Sequence, residues 1–174
     1  MLLTKQNEAK ARMIRGLTIR AFALWFSIVP IFTVNSFAEG FVVDPSVVKV
    51  SNMPLGTKYE MISSTTTKTF LEVSSRSNEP VEYTVTFKTC SDYGMTPHYG
   101  YQDIPSIKWI KIKNKAITVP AQSKGYFEGV FMRIPRRKEY NGKRYQALAI
   151  VNNYSERRNI NLEVVIPVLI EIKQ

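Results

Sequence analysis

The chain holds one cysteine and one histidine in 174 residues. A single cysteine excludes an intramolecular disulfide framework. A single histidine excludes any site that needs two imidazoles. Glycine is sparse, at eight residues, and none of it forms the Gly-rich loop that cradles phosphate. Acidic residues are also short, 14 against 24 bases, for a formal net charge of +10. With 44% apolar and 22% charged residues, the chain is neither disordered nor a multi-span membrane protein. Its length is room for one ordinary domain and a short extra segment.

The extra segment stands first. Lys5, Lys10, Arg12, Arg15 and Arg20 face one acid, Glu8, and are followed by fourteen uncharged residues, Ala21 to Val34. Ser36 and Ala38 put small residues at the −3 and −1 positions of a cut before Glu39. A basic stretch, an apolar run and a small-x-small end predict a secretory signal peptide over residues 1–38, with the folded domain at 39–174. The alternative is an uncleaved anchor. Against it, Ala21 to Phe37 is short for a span and contains Pro30 and Asn35. No cysteine follows the run, which excludes lipoprotein processing there. Five bases and one acid precede residue 39, so 19 bases and 13 acids remain, a net +6. Much of the apparent basicity, +4 of the +10, therefore belongs to the address, and export argues against a nucleic-acid partner.

The remainder reads as strands. Ile160, Leu162, Val164, Ile166, Val168, Ile170 and Ile172 recur at period two, which makes one buried face of a strand and would scatter around a helix. Pro167 lies on the other parity and donates to no ladder, so the strand is at an edge there, bulges, or passes between sheets. Val81, Tyr83, Val85 and Phe87 alternate with Glu82, Thr84, Thr86 and Lys88, a half-buried strand. Further strands are expected at Thr69–Val73, Val42–Val50, Ile107–Ile112, Ala116–Val119, Tyr126–Ile134 and Tyr145–Val151, with a bulge at Gly129. Turn residues separate them, among them Asn78 to Pro80 and Asn141-Gly142. No amphipathic helix follows residue 38. Seven to eight short strands predict an all-β, antiparallel sandwich.

The order of elements resembles bacterial extracytoplasmic immunoglobulin-like domains. Phe41-Val42-Val43-Asp44-Pro45 followed by Val47 to Val50 is similar to their first strand. Leu71 to Val81, with Asn78 and Pro80 in the turn, resembles their strand–turn–strand hairpin. Trp109 to Ile112, then Ile117 to Ser123 through Val119-Pro120-Ala121, resembles a later stretch, and Gly142 to Tyr145 the start of the penultimate strand. Similar layouts occur in the N-terminal domain of periplasmic pilus-assembly chaperones and in other envelope-associated modules. The resemblance covers residues 41–172 and implies the fold. Those chaperones have two such domains where this chain has length for one, so no subunit-anchoring residues carry over.

No catalytic constellation is evident. Ser91 and Ser106 near His98 lack an activating pattern, and Cys90 with His98 lacks the spacing of a zinc site. No cofactor and no metal are expected. Cys90 is read as a buried thiol, or as one that pairs with another chain.

Three binding surfaces are expected. The 19-residue loop Lys88–Ser106 carries Tyr93, His98, Tyr99 and Tyr101, whose flat faces and polar tips suit a protein or a sugar. The bland alternative folds these tyrosines back over the core. Arg133, Arg136, Arg137, Lys138, Lys143 and Arg144 put six bases in twelve residues, a basic patch for an anionic group or a solvated hairpin. Trp109, Lys111, Lys113 and Lys115 share one parity of an expected strand, as a binding strip or as edge protection.

Together these imply a non-enzymatic interaction module, exported to the periplasm or cell surface, that assembles, scaffolds or chaperones an envelope or surface structure. Its expected partner is an envelope or surface protein captured by β-strand addition at the C-terminal strand or at Glu39–Val50. The alternative is a module for an anionic envelope glycan. Membrane contact follows only if the signal segment is retained.

Overall fold

The structure is a computed structural model that describes residues 40–63, 69–155 and 160–174. These all belong to one unit, Ala38–Gln174. The expected signal segment lies outside the described residues.

The described chain is all-β, an immunoglobulin-like sandwich with three 3-10 turns and no α-helix among the described residues. One sheet is β1 (Phe41–Asp44), β4 (Leu71–Ser75) and β9 (Lys124–Phe127), in the order β1-β4-β9. The large sheet runs β2 (Val48–Met53), β12 (Ile160–Ile172), β11 (Arg144–Ser155), β5 (Val81–Lys88) and β8 (Ala116–Val119) in that order. The two-residue β6 (Gln102–Asp103) lies parallel to the start of β11. A small third sheet has the order β3 (Tyr59–Glu60), β10 (Val130–Met132), β7 (Ile110–Ile112).

Alternation places the core. Leu71, Val73 and Phe127 meet Tyr83, Val85, Ala147, Ala149, Val151, Ile166, Val168 and Ile170, all buried in one cluster. The alanines of β11 keep the middle of the sheet thin, which lets bulky neighbours interdigitate across it. Tyr83 ties the two layers together. Its hydroxyl donates to Ser75 Oγ on β4 at 3.0 Å, and its ring meets Phe41 of β1 edge-on with centroids 4.9 Å apart. Burial is the main cause that lifts its phenol pKa above the ordinary value.

Two expected strands each divide into two, one part in each of two sheets. Val42–Val50 breaks at Pro45, after the cis Asp44–Pro45 peptide, so β1 pairs with β4 while β2 pairs with β12. Tyr126–Ile134 breaks at Glu128-Gly129, so β9 joins β4 and β10 joins β7. Gly129 sits at φ 64°, where only glycine is unstrained, and a Cβ there would lie 3.2 Å from that of Lys113. Ile107–Ile112 is a strand only from Ile110, because Ile107–Trp109 forms a 3-10 turn. The strand expected at Thr69–Val73 is displaced two residues, to Leu71–Ser75.

Candidate functional site

The β11–β12 hairpin carries the candidate site. The two strands pair without a break from Arg144↔Glu171 to Ser155↔Ile160. On its other side β12 is covered only in part. β2 pairs with it in parallel at Val168, Leu169, Ile170 and Ile172. From Ile160 to Pro167 no described strand lies on that side. Pro167 therefore stands where the covered part of the edge ends, one of the placements its missing N–H permits.

The backbone direction of the open stretch follows from its neighbours. Ile172 N–H donates to the Lys143 carbonyl, on the β11 side, at 3.0 Å. Lys173 N–H donates to the Met53 carbonyl, on the β2 side, at 3.1 Å. Even-numbered residues of β12 thus serve the ladder with β11, and odd-numbered ones face outward. Pro167, which has no N–H, fits the outward parity. Asn161, Glu163 and Val165 present N–H and C=O groups that no described strand ladders, the template that an added strand requires.

The side chains along this edge are graded. Ile166, Val168, Ile170 and Ile172 are buried, whereas Leu162 and Val164 are only half-buried. Across the ladder Leu162 opposes Asn153, whose Oδ1 is buried with no hydrogen-bond partner among the described residues, as is that of Asn152. Seven apolar positions were expected to form one buried face. Four do so, two remain half open towards the hairpin tip, and the side chain of Ile160 lies outside the described residues.

The tyrosine loop folds back over the outer face of the large sheet. Cys90 packs with Leu148 and Ile150, with Tyr93 and Val165 at the margin. The Asp103 carboxylate accepts from Cys90 N–H at 2.8 Å, Ser91 N–H at 2.9 Å and Ser91 Oγ at 2.6 Å. Burial works to raise its pKa, and these hydrogen bonds with that of Ile104 N–H outweigh it, so the carboxyl is held below its ordinary value. The buried Gln146 takes His98 on Oε1, from the backbone N–H at 2.7 Å and at ring Nδ1 at 2.8 Å. Tyr93 bonds Glu163, and Tyr101 donates to Glu171 at 2.9 Å. The Glu163 hydrogen bond is the chief cause raising the Tyr93 phenol, and burial is the chief cause for Tyr101. Of the loop's expected contact residues, Tyr99 is the fully exposed one.

The basic patch is dispersed. Arg137 pairs with Glu139 at 3.4 Å. Arg144 approaches Glu171 at 3.8 Å, beside Lys49 at 3.2 Å. Arg136 leans on Gly56, while Lys138 and Lys143 are exposed. Arg133 donates Nε to the Gly56 carbonyl at 3.1 Å and lines one groove with Trp109, Lys111 and Lys113 of the third expected surface. Within that surface Trp109 leaves the lysine row, because its 3-10 turn sets the ring edge-on to Tyr140 and Tyr145, with centroids 5.1 and 6.1 Å apart. Lys111, Lys113 and Lys115 are exposed. Lys58, Lys108 and Phe131, which sequence reasoning did not single out, stand beside Trp109, Lys111 and Lys113 around one groove. Only the third-sheet register, Phe131↔Lys111 and Phe131↔Glu60, brings them together.

No protein-family model matches the sequence, and no curated protein does. Among solved structures, a PapD-like domain of human CEP192 superposes with a TM-score of 0.52 at 7% identity, over 77% of this chain and 85% of that one. The chain shares the PapD-like fold. Other similar structures are the chaperone–tip adhesin complex of CFA/I fimbriae, at a TM-score of 0.49, 12% identity and 78% of this chain, and the periplasmic chaperone SfaE, at 0.48, 7% and 78%. This chain spans 57% and 59% of their lengths.

Two predictions arise from the loop. The Cys90 thiol is buried, and burial first, then the Asp103 carboxylate, pushes its pKa up to about 11. At pH 8 only about a thousandth of it is then thiolate. A disulfide reagent should leave the folded protein unlabelled for an hour and label it fully in guanidinium. Labelling of the folded chain at the rate of a free thiol would contradict this packing. The second concerns Asp103→Asn, which turns an amide donor towards the Cys90 and Ser91 donors and should cost about 1.5–3 kcal/mol at pH 7. Because the native carboxyl titrates below its ordinary value, its contribution is complete above about pH 4 and is lost as pH falls through the lowered folded-state value. Thermal unfolding across this range should therefore show the full gap between wild type and variant at pH 7 and a gap that narrows steadily once pH falls below about 4.

Proposed function

We propose that this chain is a non-enzymatic interaction module of the cell envelope that assists the assembly of a surface or envelope structure. It captures an extended segment of an exported partner protein as an added strand on Ile160–Ile166. The observation that carries this reading is the half of β12 that no described strand covers, where outward backbone groups coincide with half-buried Leu162 and Val164. Each new ladder hydrogen bond would contribute about 0.5–1.5 kcal/mol. Completing the burial of Leu162 and Val164 would add about 1 kcal/mol apiece, half of a full aliphatic burial. Residues 1–38 act as the export signal, which places the module in the periplasm or at the cell surface.

Glu39–Val50 contributes differently. β1 and β2 are already laddered to β4 and β12, so this segment closes the sandwich and limits the open edge to the tip side of Val168.

Photo-crosslinking in the native cell tests the reading. A benzophenone side chain at Asn161 or Glu163 should yield one dominant adduct with an exported protein, and one at Lys115 should not. An absence of adducts from both edge positions, or the same adduct from Lys115, would remove the edge as the capture site.

A further inference from the structure

Away from the β12 edge, the outward side of the third sheet holds a groove of about 650 Å³, within the range of about 300–1,000 Å³ that accommodates a ligand side chain. Trp109, Ile112 and Phe131 form its apolar floor. Lys58, Lys108, Lys111, Lys113 and Arg133 surround it, and no acid lines it. The acid nearest in register, Glu60, lies on β3 opposite Phe131. None of the five cations forms an ion pair with a described residue; Lys58 instead rests over the Phe131 ring, 3.7 Å from its centroid. Like charges gathered around apolar surface repel one another and leave that surface wet, and an anionic ligand with an apolar side chain relieves both.

The geometry points to a second docking site here, for an acidic peptide segment that seats an aromatic or large aliphatic side chain on Trp109 and Phe131 between carboxylates. Charge complementarity selects this occupant. The chain's own residues 1–38 carry five bases and one acid and are repelled. A second copy is a poor fit as well, since no two acids in the sequence lie closer than three residues apart. A bilayer is disfavoured by shape. Its anchors need protruding rings, whereas Trp109 and Phe131 are half-buried, Trp109 against Tyr140 and Phe131 under the Lys58 ammonium.

The site is independent of strand capture at β12, and its test keeps the two apart. The full chain is titrated against a labelled ten-residue peptide with one Phe flanked on each side by two Asp. Control peptides replace Phe by Ser, or Asp by Lys. Binding should weaken about tenfold with the Ser peptide and vanish with the Lys peptide, and it should fall as salt screens the lysines. The double variant Lys111→Glu, Lys113→Glu should lose at least about tenfold, since each exposed pair contributes modestly and reversal adds repulsion. The bases before residue 39 are common to both proteins and cancel. Should that variant unfold, Lys111→Gln with Lys113→Gln decides, with an expected loss of about threefold or more. Val165→Pro, which disables the β12 edge, should leave peptide binding unchanged. Equal binding of the Phe and Ser peptides would reduce the groove to non-specific charge and overturn the proposal. So would indifference to both lysine pairs, or lysine-dependent binding to vesicles of phosphatidylcholine with phosphatidylglycerol without binding of the peptide.

Discussion

Proline at position 165 is expected to weaken partner capture by roughly 30–100-fold while the domain stays folded. Val165 faces its N–H away from β11, on the same parity as Pro167, so the ladder with β11 loses nothing when that donor is removed. An added strand would lose the hydrogen bond and leave a partner carbonyl unsatisfied, at about 2–2.7 kcal/mol, or roughly 30–100-fold in affinity. The ring also intrudes on the partner strand. Proline one residue earlier, at Val164, should behave in the opposite manner. Val164 N–H serves the ladder with β11, and its loss destabilises the hairpin itself. Circular dichroism and thermal unfolding, with crosslinking from Asn161 as the capture readout, distinguish the two. If Val165→Pro captures the partner normally, strand addition on this edge is wrong, whatever becomes of Val164→Pro.

Tyr83→Ala is expected to cost about 3–5 kcal/mol, as for other large aromatic truncations in a core. Tyr83 is fully buried and links β5 to β4 through Ser75, while its ring supports Phe41 on β1. Against a typical domain stability of about 5–15 kcal/mol, such a loss leaves little margin. It should lower the thermal midpoint by about 10–20 °C at this domain size. Tyr83→Phe keeps the ring and removes only the hydroxyl, and should cost about 1 kcal/mol. Equal losses in the two variants would mean that the hydrogen bond to Ser75, and not the ring's volume, holds the layers together.

Much of this fold is legible in the sequence because a strand writes its orientation in alternate residues. β5 and the covered half of β12 read off directly, since their apolar parity and their buried faces coincide. The breaks at Pro45 and Gly129 are legible in the sequence as residues and not as consequences. A strand that changes sheets keeps its alternation on both sides of the break, so the pattern runs through it and suggests one element where two stand. The turn at Ile107–Trp109 was misleading for a related reason. Three residues are too few to distinguish a period of two from a 3-10 turn, and Trp109 is drawn inward by Tyr140 and Tyr145, more than thirty residues away.

The candidate surfaces divide in the same way. Residue type alone drew attention to the tyrosines of the 88–106 loop, but Glu163 and Glu171 of β12, some seventy residues distant, engage Tyr93 and Tyr101. Local charge density drew attention to Arg133 through Arg144, and the turn separates those bases among different partners. The groove is not legible in the sequence because its cations come from three separate stretches of chain, Lys58, Lys108 to Lys113, and Arg133.

By itself the sequence determined the all-β class, the inward face of each long strand and the basic, apolar segment that precedes the domain. All of these are carried by neighbours in the chain, where alternation and composition act locally. Only the tertiary structure decided which edge of which strand stays uncovered, which tyrosines remain free and which lysines share a groove. Those properties depend on register between segments far apart in sequence. Such registers are set by side-chain packing across the two layers of the sandwich.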